Sequence, residues 1–228
     1  MTKEQQGYRK TGLLGGSFNP LHIGHLRLCM EMIEQAHIDQ IELIPAHIPP
    51  HKEISDILPF EMRFAMLESA IADHADICVN PLEKKRPGPS YTWDTLESVV
   101  NQRPESQFCF IMGDCDLLTV PKWYRGRDIP QLCDIFVVGR TGAGKDRLSD
   151  FITDFWDAKR AGNDSWVVNQ GRRIRYFSLP RIDISSSMIR SRWLEGRSID
   201  WLVPAEVKKY LDSCRYEVEN IWSKRSCT

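Results

Sequence analysis

No apolar run in this 228-residue chain approaches the roughly 20 residues needed to cross a bilayer, so no membrane partner is expected. An excess of charge of one sign is missing as well. Thirty Lys and Arg stand against 31 Asp and Glu, a formal net charge of −1. A nucleic-acid binder usually carries a basic surplus, so that class loses ground and only a local basic patch would be compatible with it. The seven cysteines include no close Cys-x-x-Cys pair. Cys109 and Cys115 are the nearest two, and no set of histidines completes a zinc pattern around them. An odd number of scattered cysteines reads as reduced thiols and a cytoplasmic location. The opening Met-Thr-Lys-Glu-Gln-Gln also lacks the apolar run of a signal peptide. There is no internal repeat, no low-complexity tract, no nucleophile elbow and no recognisable Cys–His pairing. What remains is ordinary in bulk: 42% hydrophobic residues, enough chain for one generous domain or one with a small appendage.

The most informative stretch is Gly12-Leu-Leu-Gly-Gly-Ser-Phe-Asn-Pro-Leu-His-Ile-Gly-His25. It reads as the end of an apolar strand, a tight turn and the first turn of a helix. Gly15 and Gly16 let the backbone approach a ligand closely, and Asn19-Pro20 punctuates the turn. His22 and His25 are spaced to point the same way at the helix mouth. A helix start offers N–H donors and partial positive charge, so two imidazoles there suit a polyphosphate. A plain corner with two solvated histidines is the simpler alternative.

Downstream, Leu26–Ala36 has helical spacing and Ile41–Ile44 is a brief strand. Pro45-Ala-His-Ile-Pro-Pro-His-Lys52 is a stiff loop, because its prolines forbid helix and strand alike. A helix is expected over 59–73, a strand over 76–79 and a helix from the Pro87–Leu96 region to about Gln102. Gln107–Met112 is a continuous apolar strand of the kind buried in a parallel sheet, and it runs into Gly113-Asp-Cys-Asp116. A strand follows at 134–138. Strands alternating with helices at this spacing imply right-handed βαβ units in a doubly wound, Rossmann-like, mostly parallel sheet with helices on both faces. Ligands in such sheets bind beyond the carboxyl ends of the strands. Gly15–His25, the Pro45–Lys52 loop and Gly113–Asp116 each follow a strand directly and are therefore expected to converge on one crevice.

Residues 140–171 carry little signal. Gly139 and Gly144-Lys145 fit a phosphate-loop spacing, but Asp146 stands where a hydroxyl should meet a metal, so a surface loop is expected. Leu148–Arg160 looks helical, with Trp156 and Trp166 as packing residues. After a strand at 174–177, Ile184-Ser-Ser-Ser-Met-Ile-Arg190 opens a helix with hydroxyl caps, and Arg190 sits one turn in. The plan is thus a core over about 10–183, C-terminal helices over about 184–215 and a fraying tail over 216–228.

Taken together, GGSFNPLHIGH (15–25), PPHK (49–52), SYTWDTL (90–96), GDCD (113–116), Lys122-Trp-Tyr124, ISSSMIR (184–190) and WLVPAEVKKYL (201–211) resemble the bacterial nicotinate-nucleotide adenylyltransferases of the His-x-Gly-His nucleotidyltransferase superfamily. The likeness spans roughly residues 10 to 215. One departure is Asn19, where many members have aspartate; either residue can make the turn. The resemblance implies transfer of AMP from ATP to nicotinate mononucleotide, with Mg2+ carried by ATP and no metal ligand set on the protein. It implies catalytic roles for His22, His25, Lys52 and Arg190. Gly15, Gly16, Ser17, Phe18, His22, His25, Gly113, Asp114, Ser186 and Arg190 would bind ATP. Ser17, Lys52, Thr92, Trp123 and Tyr124 would bind nicotinate mononucleotide, with Trp123 stacked on the pyridine ring. A nicotinamide or phosphopantetheine acceptor and a non-catalytic nucleotide sensor are the competing readings, and a homo-oligomer stays open.

Overall fold

A computed structural model describes residues 9–49, 56–139, 145–168 and 171–224. Lys52 and residues 140–144 lie outside them. Eight strands hydrogen-bond in the order β3-β2-β1-β4-β5-β8-β7-β6. They are β1 (Lys10–Gly16), β2 (Gln40–Pro45), β3 (Ile77–Val79), β4 (Gln107–Gly113), β5 (Asp134–Gly139), β6 (Lys159–Gly162), β7 (Ser165–Val167) and β8 (Arg173–Ser178). The expected α/β class with a mostly parallel sheet is what the chain adopts. It divides into two compact units interleaved in sequence. The first is Met1–Leu14, Met32–Ile41 and Tyr91–Arg181; the second is Gly15–Glu31, Glu42–Ser90 and Ile182–Thr228.

In the first unit β1, β4, β5 and β8 run parallel, with Leu13 opposite Phe110, Phe110 opposite Ile135 and Val137 opposite Tyr176. Phe108–Met112 are all buried, as a continuous apolar strand covered on both faces must be. α3 (Thr92–Gln102) buries Trp93, Leu96 and Val99, and α4 (Asp114–Leu117) is a single turn directly after β4. α5 (Lys145–Trp156) stops short of the expected Arg160. Asp157 adopts a left-handed φ of 52°, which ends the helix, and the chain then turns back as β6. β6 and β7 pair antiparallel through a two-residue Asn163-Asp164 connection, and β7 pairs antiparallel with β8. β6 is exposed along its whole length; its Lys159 and Arg160 are the kind of charges that blunt an edge against further pairing. Trp156 and Trp166 are buried, as packing residues.

Gly139 belongs to packing. A Cβ there would lie 2.0 Å from the Tyr176 hydroxyl, so β5 and β8 meet at a point where only glycine fits. Strand packing is thus reason enough for a glycine at this residue.

The second unit holds α1 (Ile23–Ala36) through Glu31, together with α2 (Phe60–Ile71), α6 (Ser186–Leu194), α7 (Ala205–Ser213) and α8 (Arg215–Trp222). α2 packs against α7, whose Val207 and Leu211 are buried. Ser185 caps α6, its side chain accepting from the Met188 N–H at 3.2 Å. The expected fraying tail from 216 is instead mostly helix. α8 buries Val218 and Trp222, and Trp222 meets Trp193 edge-on at 6.3 Å. Two buried apolar side chains one turn apart are what turns this charged segment into a docked helix.

Candidate functional site

β1 ends at Gly16 and α1 begins at Ile23, which leaves Ser17–His22 as the turn between them. Phe18 is buried in the left-handed region at φ 44°, and the Asn19–Pro20 peptide is cis. The first N–H of α1, on Ile23, donates to the Leu202 carbonyl at 3.0 Å, so the 201–211 segment holds the helix start in place. The His22 ring is buried and stacks on His25 with centroids 3.6 Å apart. Gly24 makes this possible: a Cβ there would come within 3.0 Å of His22 Nδ1. The glycine of the His-x-Gly-His pattern is thus space for an imidazole.

The His22 backbone N–H donates to His25 Nδ1 at 3.2 Å. A ring nitrogen that accepts a hydrogen bond carries the lone pair, so the proton of neutral His25 sits on Nε2. His25 therefore presents an N–H donor from the helix mouth, and the Phe18 ring closes its flank edge-on at 5.1 Å.

The turn's carbonyls are gripped from behind. Ser186 Oγ donates to the Pro20 carbonyl at 2.9 Å, and Arg190 Nη1 donates to the Asn19 carbonyl at 3.0 Å. Arg190 Nη2 also meets Asp56 Oδ2 at 2.9 Å. Asn19 uses both ends of its amide: Nδ2 donates to the Asp56 carbonyl at 2.7 Å, while Oδ1 accepts from the Leu58 N–H at 3.1 Å and from Trp222 Nε1 at 3.4 Å. An aspartate could make the turn but would lack that donor, so the departure at Asn19 is fitted to its surroundings.

Arg63 on α2 is 1% exposed and donates to three carbonyls at 2.8 Å each: Nε to Leu58, Nη1 to Ser17 and Nη2 to Ala46. Burial lowers its pKa to about 10, with Glu61 and Glu83 opposing the shift, so it stays cationic at neutral pH. Sequence reading missed both Arg63 and Asp56. The available signal for Arg63 was its place three and four residues before Met66 and Leu67, an arginine on the apolar stripe of a helix. Asp56 had no local signal.

The remaining candidates lie in the first unit. Gly113 ends β4 and opens α4, and Asp114 Oδ1 accepts the Cys115 N–H at 2.8 Å. Thr92 begins α3. Trp123 donates from Nε1 to Thr119 Oγ1 at 2.9 Å and faces Phe110 edge-on at 6.4 Å. Tyr124 is 51% exposed and lies 5.0 Å from Tyr91, the neighbour of Thr92. The Thr92 and Tyr124 segments are thereby brought together. Next to them the Arg125 guanidinium stacks 3.7 Å from the Trp93 ring centre and pairs with Asp128, a contact the sequence reading did not foresee. Among the described residues, no three His, Cys, Asp or Glu side chains are grouped to hold a metal ion, and no helix is long and apolar enough to cross a membrane.

So the second unit assembles Gly15, Gly16, Ser17, Phe18, His22, His25, Ser186 and Arg190 around one turn, and the first unit holds Gly113, Asp114, Thr92, Trp123 and Tyr124. Lys52 lies outside the described residues.

A cytidylyltransferase-like family model matches residues 13–192. A protein of Pelobacter propionicus named a probable nicotinate-nucleotide adenylyltransferase is 37% identical over 90% of this chain and 97% of its own length. Its namesake from Trichlorobacter lovleyi is 38% identical over 89% of this chain and 96% of its own. The structure of Plasmodium falciparum nicotinic acid mononucleotide adenylyltransferase complexed with NaAD overlays with a TM-score of 0.72 at 16% identity, covering 94% of this chain and 98% of that one; it supports the fold.

Proposed function

The chain belongs to the cytidylyltransferase-like family, among its nicotinate-nucleotide adenylyltransferases, and from that premise we propose that it transfers AMP from ATP to nicotinate mononucleotide, giving deamido-NAD and pyrophosphate. The observation that carries the reading is the stacked His22–His25 pair at the start of α1, with His25 Nε2–H as its donor.

The acceptor's phosphate oxygen attacks the α-phosphorus of ATP in line. That P–O bond forms as the bond to the β-phosphate oxygen breaks, and pyrophosphate leaves with the electron pair. No protein nucleophile is needed. Catalysis rests on alignment and on donors placed where negative charge builds up. His25 Nε2–H and His22 meet the phosphoryl oxygens, with the dipole of α1 adding to their effect. Gly15 and Gly16 let the β1 backbone come close, and Ser17 and Phe18 supply donors at the turn. Ser186, through its backbone N–H at the start of α6, and Arg190 serve the β- and γ-phosphates, while the Ser186 hydroxyl and Arg190 Nη1 hold the Pro20 and Asn19 carbonyls. Gly113 and Asp114 take the AMP portion. Trp123 stacks on the pyridine ring, and Thr92 with the Tyr124 backbone receives its carboxylate, with Ser17 and Lys52 serving the acceptor's phosphate. The divalent ion that the family uses with ATP is Mg2+ in this reading, held by the triphosphate. The setting is cytoplasmic, in NAD biosynthesis.

The test is pyrophosphate release from ATP and Mg2+ with nicotinate mononucleotide and nicotinamide mononucleotide in parallel. Release with the acid alone supports both the chemistry and the carboxylate site. Equal rates leave the chemistry and remove the assignment of Thr92 and Tyr124. No release with either acceptor overturns the reading in favour of a nucleotide sensor.

A further inference from the structure

Arg63 is fully buried on α2, yet among the described residues its three hydrogen bonds go to backbone carbonyls and none to a carboxylate. Those carbonyls belong to segments distant in sequence: Ser17 after β1, Ala46 after β2, and Leu58 just before α2. A rigid, planar fork with five donors can hold three such groups at once, whereas an ammonium on a flexible stem cannot reproduce the geometry.

The peptide plane transmits what that fork does. In a trans peptide the C=O and the following N–H point in opposite directions. The plane after Ala46 shows the consequence. With its carbonyl on Arg63 Nη2, the next N–H, on His47, is delivered to Glu83 Oε2 at 3.2 Å and to Ser90 Oγ at 3.0 Å. The same logic at Ser17 turns the Phe18 N–H away from Arg63. Phe18 is the residue held at φ 44°, a conformation that side-chain-bearing residues adopt only where the surroundings impose it.

We propose that Arg63 is a positioning residue for phosphate binding: by fixing the Ser17 carbonyl it aims the Phe18 amide at the anion. This rests on the reading that the Ser17–His25 turn receives the triphosphate. Arg63 does not touch substrate; it acts through one peptide plane.

The test compares wild type, Arg63→Lys and Arg63→Met, below the melting midpoint of each, for calorimetric binding of inorganic tripolyphosphate and for kcat/KM toward ATP. Arg63→Lys keeps the charge and loses the fork. Positioning predicts that it loses tripolyphosphate affinity and kcat/KM(ATP) by at least about tenfold per folded molecule, nearly as much as Arg63→Met. If Arg63→Lys binds and turns over like wild type, and only melts earlier, the proposal is overturned. Should neither variant fold, the wild-type protein decides by NMR. Saturating tripolyphosphate must shift the Phe18 amide resonance, and an unmoved resonance overturns the proposal. Wild type that binds tripolyphosphate but releases no pyrophosphate with nicotinate mononucleotide would sink the proposed reaction alone and leave the Arg63 comparison intact.

Discussion

The Ser17–His22 turn of the second unit and the aromatic set of the first are built by opposite means. In the turn, three carbonyls that would otherwise wander are each taken by a side chain: Ser17 by Arg63, Asn19 by Arg190, Pro20 by Ser186. Among the described residues the aromatic set has no such scaffold. Trp123 and Tyr124 sit in a tight turn where the Trp123 N–H returns to the Val120 carbonyl at 2.9 Å, and their side chains are held by one hydrogen bond and by ring contacts. Charge stabilisation in a transition state needs donors fixed to a fraction of an ångström, because misplacement is penalised steeply. Recognition of a flat heteroaromatic ring tolerates a softer wall, since stacking varies gently with position. Polar pinning and ring contact are thus matched to what each part would be asked to recognise.

That contrast can be broken in several places. The largest effect is expected at His25. His25→Ala removes the Nε2–H donor and should lower the rate of pyrophosphate release by at least about 100-fold, with the melting midpoint little changed. A near-normal rate would take His25 out of the mechanism. Alkaline pH should act next, and unequally. Cys29 in the second unit and Cys109 and Cys133 in the first are buried, and burial raises the thiol pKa of each, to about 12 for Cys29 and Cys133. An unfolded thiol ionises near its ordinary value, so the unfolded state loses protons first as pH rises above about 9. The protonation preference of the fold is fully present below that pH and then works against it, by about 1.4 kcal/mol per pH unit for each thiol. Hydrogen exchange followed from pH 8 to pH 11 should therefore find the first unit opening earlier than the second. Equal behaviour would erase the distinction.

Asn19→Asp is a smaller perturbation of the pinned turn. It deletes the donor to the Asp56 carbonyl and sets two acceptors face to face, at a cost of about 1 kcal/mol in urea unfolding. A change indistinguishable from zero would mean that the turn does not depend on that amide. The mildest expected effect is on the aromatic side: Trp123→Phe keeps a ring and loses the bond to Thr119. KM for nicotinate mononucleotide should rise about threefold with kcat unchanged. A collapse in kcat instead would show that the aromatic set is held as stringently as the Ser17–His22 turn.

What could be read in advance follows the range of the interactions. The strand–turn–helix around His22 and His25 is written locally: glycines, Asn-Pro and two histidines lie within a dozen residues, so its pattern is visible without a fold. β4 declares itself by an unbroken apolar run, and the cap on α6 by its serines. The β6–β7 hairpin is silent because its first strand is short and wholly exposed, leaving no alternation to detect. α8 was obscured by its charged residues, with only Val218, Ile221 and Trp222 marking the buried spacing. The Asn19–Asp56–Arg190 network and the reach of Arg63 join segments up to 171 residues apart, and no window along a chain contains such a contact.

The steric lock between Gly139 and Tyr176 carries an evolutionary consequence. Every single-nucleotide missense change of a glycine codon introduces a Cβ, and here that atom would overlap the tyrosine ring and its hydroxyl. A substitution at 139 therefore forces the Tyr176 ring to move, and a smaller side chain at 176 relieves that cost. The two positions are thereby epistatic, and exchange at 139 is favoured once 176 has become smaller.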